Sequence, residues 1–72
     1  VVFDGKALKR PDVEAWRAEQ DAERRDAKIG KMIQAAFGIT KKEADELSYL
    51  DYNVLETMVV RFVNNPLALI IA

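Results

Sequence analysis

Carboxylates are the side chains of this sequence that are best suited to catalysis or metal binding. Glu43, Asp45 and Glu46 lie close together, and Asp51 follows at the start of a long apolar stretch. Two carboxylates can work as general acid and base when their surroundings separate their pKa values. The first three, however, fall at a solvated helix start, and Asp51 falls in the first turn of the next helix. Helix capping and solubility therefore explain these residues better than catalysis does.

Two other residue types that catalysis or metal binding commonly uses are missing. The chain has no cysteine and no histidine, which removes the thiolate nucleophile, the sulfur ligand and the imidazole base. Its three glycines are isolated at positions 5, 30 and 38, so they form no phosphate-binding loop. We expect a protein that is not an enzyme and that needs no cofactor or metal.

Length and charge narrow the choice of partners. The 72 residues suffice for one domain, 1–72, and 11 basic against 12 acidic side chains leave a net charge of −1 without a basic stripe. The longest apolar run, Leu67–Ala72, is much shorter than the ~20 residues that span a bilayer. We expect no binding to nucleic acid or membranes, and residence in the cytoplasm. No signal peptide is recognisable, and Val1 in place of methionine indicates a truncated or processed N-terminus.

Helix signals predict an all-α fold, a small bundle of three helices. The first helix is expected over residues 11–37, because Pro11 suits a first helical position and Gly38 suits a C-terminal cap. Residues 1–10 are expected to form a short extended arm in preference to a strand and turn. A core of this size is marginal by itself, so we expect a homo-oligomer, a partner protein or further segments that this sequence lacks.

The apolar pattern within 11–37 leaves the continuity of this helix open. Val13 and Trp16 project to the side opposite a stripe formed by Ile29, Met32, Ile33, Ala36 and Phe37. One long, bent helix with two apolar faces is the interpretation that we favour. The alternative is a division into two helices in the polar segment 21–26.

Capping patterns predict the two shorter helices. Thr40 and Glu43 form a capping box, which begins a second helix over residues 41–47. Ser48 and Asp51 repeat this pattern at the start of the third helix.

The third helix, expected over residues 49–63, is apolar over about 220° of its circumference, which is more than an ordinary surface helix buries. Asn64-Asn65-Pro66 ends it, because asparagine tolerates the left-handed conformation and proline cannot continue a helix. The predicted outer face is correspondingly narrow and consists of Asn53, Glu56, Thr57 and Arg61, with Val60 among them.

Three regions are candidates for binding a partner. Trp16 either packs on the N-terminal arm or anchors an interface. The apolar tail, 67–72, either folds back onto the third helix or docks a partner. The third helix itself is the remaining region. The candidate residues are Trp16, Tyr52, Val59, Val63, Leu67, Leu69, Ile70 and Ile71.

A helix–turn–helix alternative has less support. A DNA-reading helix projects basic or amide side chains from its N-terminal turns, whereas Arg61 near the C-terminal end is the only basic residue of the third helix. A small DNA-binding regulator is therefore the weaker alternative. A generic oligomeric helical module is the stronger one.

One longer pattern resembles a known family. Residues 37–52, FGITKKEADELSYLDY, are similar to the tail assembly chaperones of long-tailed phages, as are the apolar residues that follow them, Leu55, Val59, Phe62 and Val63. The shared features are a helix end with glycine, a capped short helix, and a Leu-Ser step into Asp-Tyr at the start of an apolar helix. The resemblance covers residues 28–65, and Arg10-Pro11 fits the proline that often precedes the first helix.

This resemblance implies a chaperone that acts in the cytoplasm of the infected bacterium during tail assembly and is absent from the mature virion. It implies binding to the tape measure protein, which the chaperone keeps soluble, and recruitment of tail tube subunits. The family has no catalytic residues and no fixed binding motif, so no residue role carries over. Because the tape measure protein is itself long and helical, helix-in-groove docking is the expected binding mode.

Overall fold

The structure is a computed structural model of the 72-residue chain, and it describes residues 2–65. Within these residues it contains helices and no strand, which confirms the all-α prediction. A 3-10 turn over Gly5–Ala7 precedes four helices, which are α1 (Arg10–Ala18), α2 (Ala22–Phe37), α3 (Lys41–Asp45) and α4 (Tyr49–Asn64). The central helix is α2, since it contacts the turn and each of the other helices.

The predicted first helix is divided into α1 and α2, so our preference for one long helix was wrong. α1 ends because Glu19 has an extended backbone, with φ −73° and ψ 125°. α2 begins after Asp21, whose carboxylate accepts a hydrogen bond from the Arg24 backbone N–H at 3.1 Å. The change of direction lets Val13 and Trp16 enter the same core as the apolar face of α2.

The N-terminal segment is packed on the bundle, which corrects the prediction of an extended arm. The Asp4 backbone N–H donates to a carbonyl oxygen of α2 at 2.7 Å, and Leu8 is buried. The Phe3 ring lies between two aromatic rings, with centroid distances of 5.4 Å to Phe37 and 5.2 Å to Phe62. Aromatic packing of this kind connects the segment to the ends of both α2 and α4.

The capping box of α3 is confirmed. The Thr40 hydroxyl accepts from the Glu43 N–H at 3.1 Å, and the Glu43 carboxylate accepts from the Thr40 N–H at 3.2 Å. α3 ends at Asp45, earlier than predicted, because the following turn tightens. There the Leu47 N–H donates to the Ala44 carbonyl, a 3-10 hydrogen bond of 3.2 Å.

The C-terminal end of α2 and both ends of α4 agree with the predictions to within one residue, but one predicted backbone conformation does not. Gly38 has the left-handed backbone expected of a C-terminal cap, with φ 64°. The Ser48 hydroxyl accepts from the Asp51 N–H at 3.2 Å and so begins α4. α4 ends at Asn64, but Asn65 is extended, with φ −77° and ψ 139°, so the expected left-handed asparagine is wrong.

The core lies mainly where α1, α2 and α4 meet. Each aliphatic side chain buried here contributes roughly 1.5–3 kcal/mol. The buried residues of this cluster are Leu8, Val13, Trp16, Ile29, Met32, Ile33, Ala36, Phe37, Val59 and Val63.

Candidate functional site

One side of α4 packs in the core. Val59 and Val63 are both 0 % exposed, and Tyr52, Leu55 and Phe62 pack against the core while remaining half-buried. These residues recur at helical spacing, so they form one continuous face. Only part of the broad apolar arc of α4 is therefore covered by the described chain.

The rest of that arc forms an exposed apolar row. We call Leu50, Val54 and Met58 the α4 row, and their exposed fractions are 75 %, 58 % and 41 %. Intervals of four residues place successive side chains next to each other along a helix. Scattered exposed apolar residues are ordinary, but a contiguous row at helical spacing is typical of a contact surface.

This arrangement corrects the predicted outer face of α4. Asn53, Glu56 and Val60 are half-buried, whereas Val54 and Met58 point to solvent. The physical reason is the placement of Val59 and Val63 beneath α2, which rotates the opposite part of the arc outward. The residues of the α4 row were recognised as apolar from the sequence but were not chosen as candidate binding residues. Their regular spacing was the signal that could have identified them.

Opposite charges lie near the two ends of the α4 row. Asp51 lies in the first turn of α4 and Arg61 in the last, and both residues are exposed. Neither side chain makes a hydrogen bond or ion pair with another residue in 2–65. An acidic N-terminal end and a basic C-terminal end also suit the helix dipole.

The candidate residues chosen from the sequence lie elsewhere. Trp16 is 5 % exposed and packs in the core, and the Arg25 guanidinium lies over its ring, 4.7 Å from the centroid. We therefore assign Trp16, like Val59 and Val63, to the core in place of a partner interface. Tyr52 keeps a half-exposed edge. The tail candidates lie outside the described residues and are Leu67, Leu69, Ile70 and Ile71.

A groove of about 410 Å³ runs beside Trp16. Its apolar walls are combined with Arg25, Asp26 and Glu56, so charges of both signs offset each other. The Arg17 guanidinium donates a hydrogen bond to the Val63 carbonyl at one end. The lining residues are Trp16, Arg17, Arg25, Asp26, Ile29, Glu56, Val60 and Asn64.

Among the described residues, one titratable group has a shifted pKa. Burial raises the pKa of the Tyr52 phenol, and the nearby carboxylates of Glu56, Asp26 and Asp45 raise it further, so the phenol stays protonated. Over residues 2–65 no cluster of three or more acidic side chains could hold a metal ion. Among the described helices, none has the length and apolar character required to cross a bilayer.

The α4 row is thus the strongest candidate site in the described part of the chain. It is an exposed apolar surface with an acidic residue near one end and a basic residue near the other. Its position on an ordered, capped helix makes it a preformed surface. Comparisons of this chain with family models, curated proteins and solved structures find no match.

Proposed function

We propose that this protein is a tail assembly chaperone of long-tailed phages, which binds and solubilises the tape measure protein through the α4 row. The observation that carries the proposal is the exposure of Leu50, Val54 and Met58 on a capped helix. The pattern over residues 28–65 supplies the family. The protein acts without catalysis, and its partner, like the row itself, is apolar and helical.

The α4 row suits a client that must be held and later released. An apolar helix laid along α4 buries the three side chains of the row and hides its own apolar face from water. Three aliphatic side chains form a small contact, so each copy binds weakly and dissociates readily. Many copies along one long client protect it together, because each bound copy shields a different segment.

The place and time of action follow from the same proposal. The protein acts in the bacterial cytoplasm while the tail is built and is absent from the mature virion. Bound to the tape measure protein, it also helps to bring tail tube subunits to the growing complex. Its own homo-oligomerisation concerns the same surface.

Light scattering tests the proposal directly. The full chain is mixed with an aggregating helical fragment of a tape measure protein, and we expect suppression of the scattering. Leu50→Asp replaces the most exposed residue of the row by a charge. Loss of one leucine contact should raise the amount of protein needed by about tenfold.

Ala27→Asp is the matched control, since it places the same charge on an exposed position of α2. This variant should suppress scattering as well as the wild type does. If the wild type leaves the fragment aggregating, the chaperone proposal is lost. If Leu50→Asp is as active as the control, the α4 row is not the binding surface.

A generic oligomeric helical module is the second candidate function. It is favoured by the charges at the two ends of the α4 row, which make the row complementary to itself. Such a module would self-associate but would leave the scattering of the tape measure fragment unchanged.

A further inference from the structure

Two residues of the α4 row and the charges near its ends form a seam with a regular spacing. Asp51, Val54, Met58 and Arg61 follow one another at intervals of three, four and three residues. This alternation places side chains on one line of a helix and is the spacing by which two helices pack along their length. Within the seam, two apolar residues lie between an acidic residue and a basic one.

We infer that this seam binds a second copy of the chain, with the two α4 helices antiparallel about a two-fold axis level with Glu56. The axis places Val54 opposite the partner's Met58 and Asp51 opposite the partner's Arg61. A two-fold interface repeats each contact, so both pairs occur twice. The exposed parts of Val54 and Met58 are then covered, and each charge of the seam meets an opposite charge.

The charges decide the direction of pairing. In a parallel pair, Asp51 would lie beside the partner's Asp51, and Arg61 beside the partner's Arg61. Like charges in facing positions repel, and parallel helix dipoles add to the repulsion. The antiparallel arrangement removes both penalties. A second copy also pairs both charges, whereas an uncharged apolar helix would leave Asp51 and Arg61 to solvent.

The pairing is weak enough to be reversible. Two apolar layers with an ion pair at each end make a small interface of the kind found in transient complexes. Leu50 lies beside the seam and enlarges the contact. Self-pairing therefore covers the α4 row in the free protein and competes with any client that uses the same row. Only this competition rests on the proposed function; the pairing itself does not.

Charge reversal tests the antiparallel register. Sedimentation equilibrium of the full chain should show wild-type monomers and dimers in exchange. Asp51→Arg alone and Arg61→Asp alone each turn two attractive pairs into two repulsive ones, so each should raise the dimer dissociation constant by about tenfold. An equimolar mixture of the two variants should restore wild-type affinity, because each chain then meets an opposite charge at both ends.

The mixture is its own folding control, since a variant that failed to fold would not recover on mixing. Val54→Glu should give monomers, and Ala27→Glu, the same charge at an exposed position of α2, should leave the dimer intact. A wild type that stays monomeric at every concentration overturns the inference, as does a mixture that associates no better than its components. No client is present, so the outcome is independent of the light-scattering assay.

Discussion

At the scale of single residues, two glycines of this protein differ in the space around them: Gly5 is tightly packed, whereas Gly30 has room for a methyl group. A methyl group on Gly5 would overlap the ring of Phe62, which is itself packed edge-on against Phe3. A methyl group on Gly30 would lie 3.5 Å from the Tyr52 hydroxyl, an ordinary contact, and α2 is helical on both sides of it. The first glycine is thus required by packing, whereas the second weakens its helix.

Alanine substitutions at Gly5 and Gly30 should therefore change the free energy of unfolding in opposite directions. Gly5→Ala should lower the free energy of unfolding by about 1–2 kcal/mol, because the Phe62 ring must move. Gly30→Ala should raise it by up to about 1 kcal/mol, because alanine loses less backbone entropy in a helix. Urea denaturation followed by circular dichroism measures both. A Gly5→Ala protein as stable as the wild type would show that the N-terminal segment is not packed on α4.

At the scale of elements, the short link between α1 and α2 shapes the bundle. Asp21 caps α2, and the Glu19 carboxylate forms an ion pair with Lys28 at 3.4 Å across the link. The link allows Trp16 of α1 to reach the core beside α2. A continuous helix would have left Val13 and Trp16 in water, and the energy of burying them favours the division.

Removal of the Asp21 cap should lower the stability of the fold at the start of α2. Asp21→Ala leaves the Arg24 N–H without its side-chain acceptor and should cost about 1 kcal/mol of unfolding free energy. Gln20→Ala is the control, since Gln20 is an exposed neighbour in the same link, and its effect should be within about 0.5 kcal/mol. Thermal and urea unfolding of both variants measure the difference. Equal stability of the two variants would mean that the cap does not hold the link.

At the scale of the whole molecule, the pKa of the Tyr52 phenol depends on how three helices are placed. Burial among α2 and α4 raises the pKa of its phenol, and carboxylates on α4, α2 and α3 raise it further, namely those of Glu56, Asp26 and Asp45. The folded state therefore favours the neutral phenol. Its stabilising contribution is complete below the unfolded pKa of about 10 and is lost as the pH rises through the higher folded value.

Tyr52→Phe isolates this dependence, because it keeps the ring and removes the ionisable group. The wild type should lose stability relative to the variant between about pH 9 and pH 12 and should show no such relative loss near pH 7. Denaturant titrations across this range measure the difference. Parallel pH profiles of the two proteins would contradict the burial of Tyr52 beside these carboxylates.

Local chemistry accounts for the parts of the fold that were predicted well. The Thr40 and Glu43 capping box and the Gly38 cap use only neighbouring backbone groups, so their sequence spacing is sufficient to identify them. The boundaries near Asp45 and Asn64 follow for the same reason, to within two residues. The candidate site was predicted only in part, because the apolar arc of α4 was recognised but its exposed side was not.

The sequence by itself determined that the described chain is all-helical, where most of its helices begin and end, and that it lacks cysteine and histidine. Only the tertiary structure decided that Trp16 is in the core and that Leu50, Val54 and Met58 are not. Periodicity shows that a face is apolar, but water is excluded from it only where another element reaches it. The turn between α1 and α2 carries Trp16 into the core, and no described element covers the α4 row.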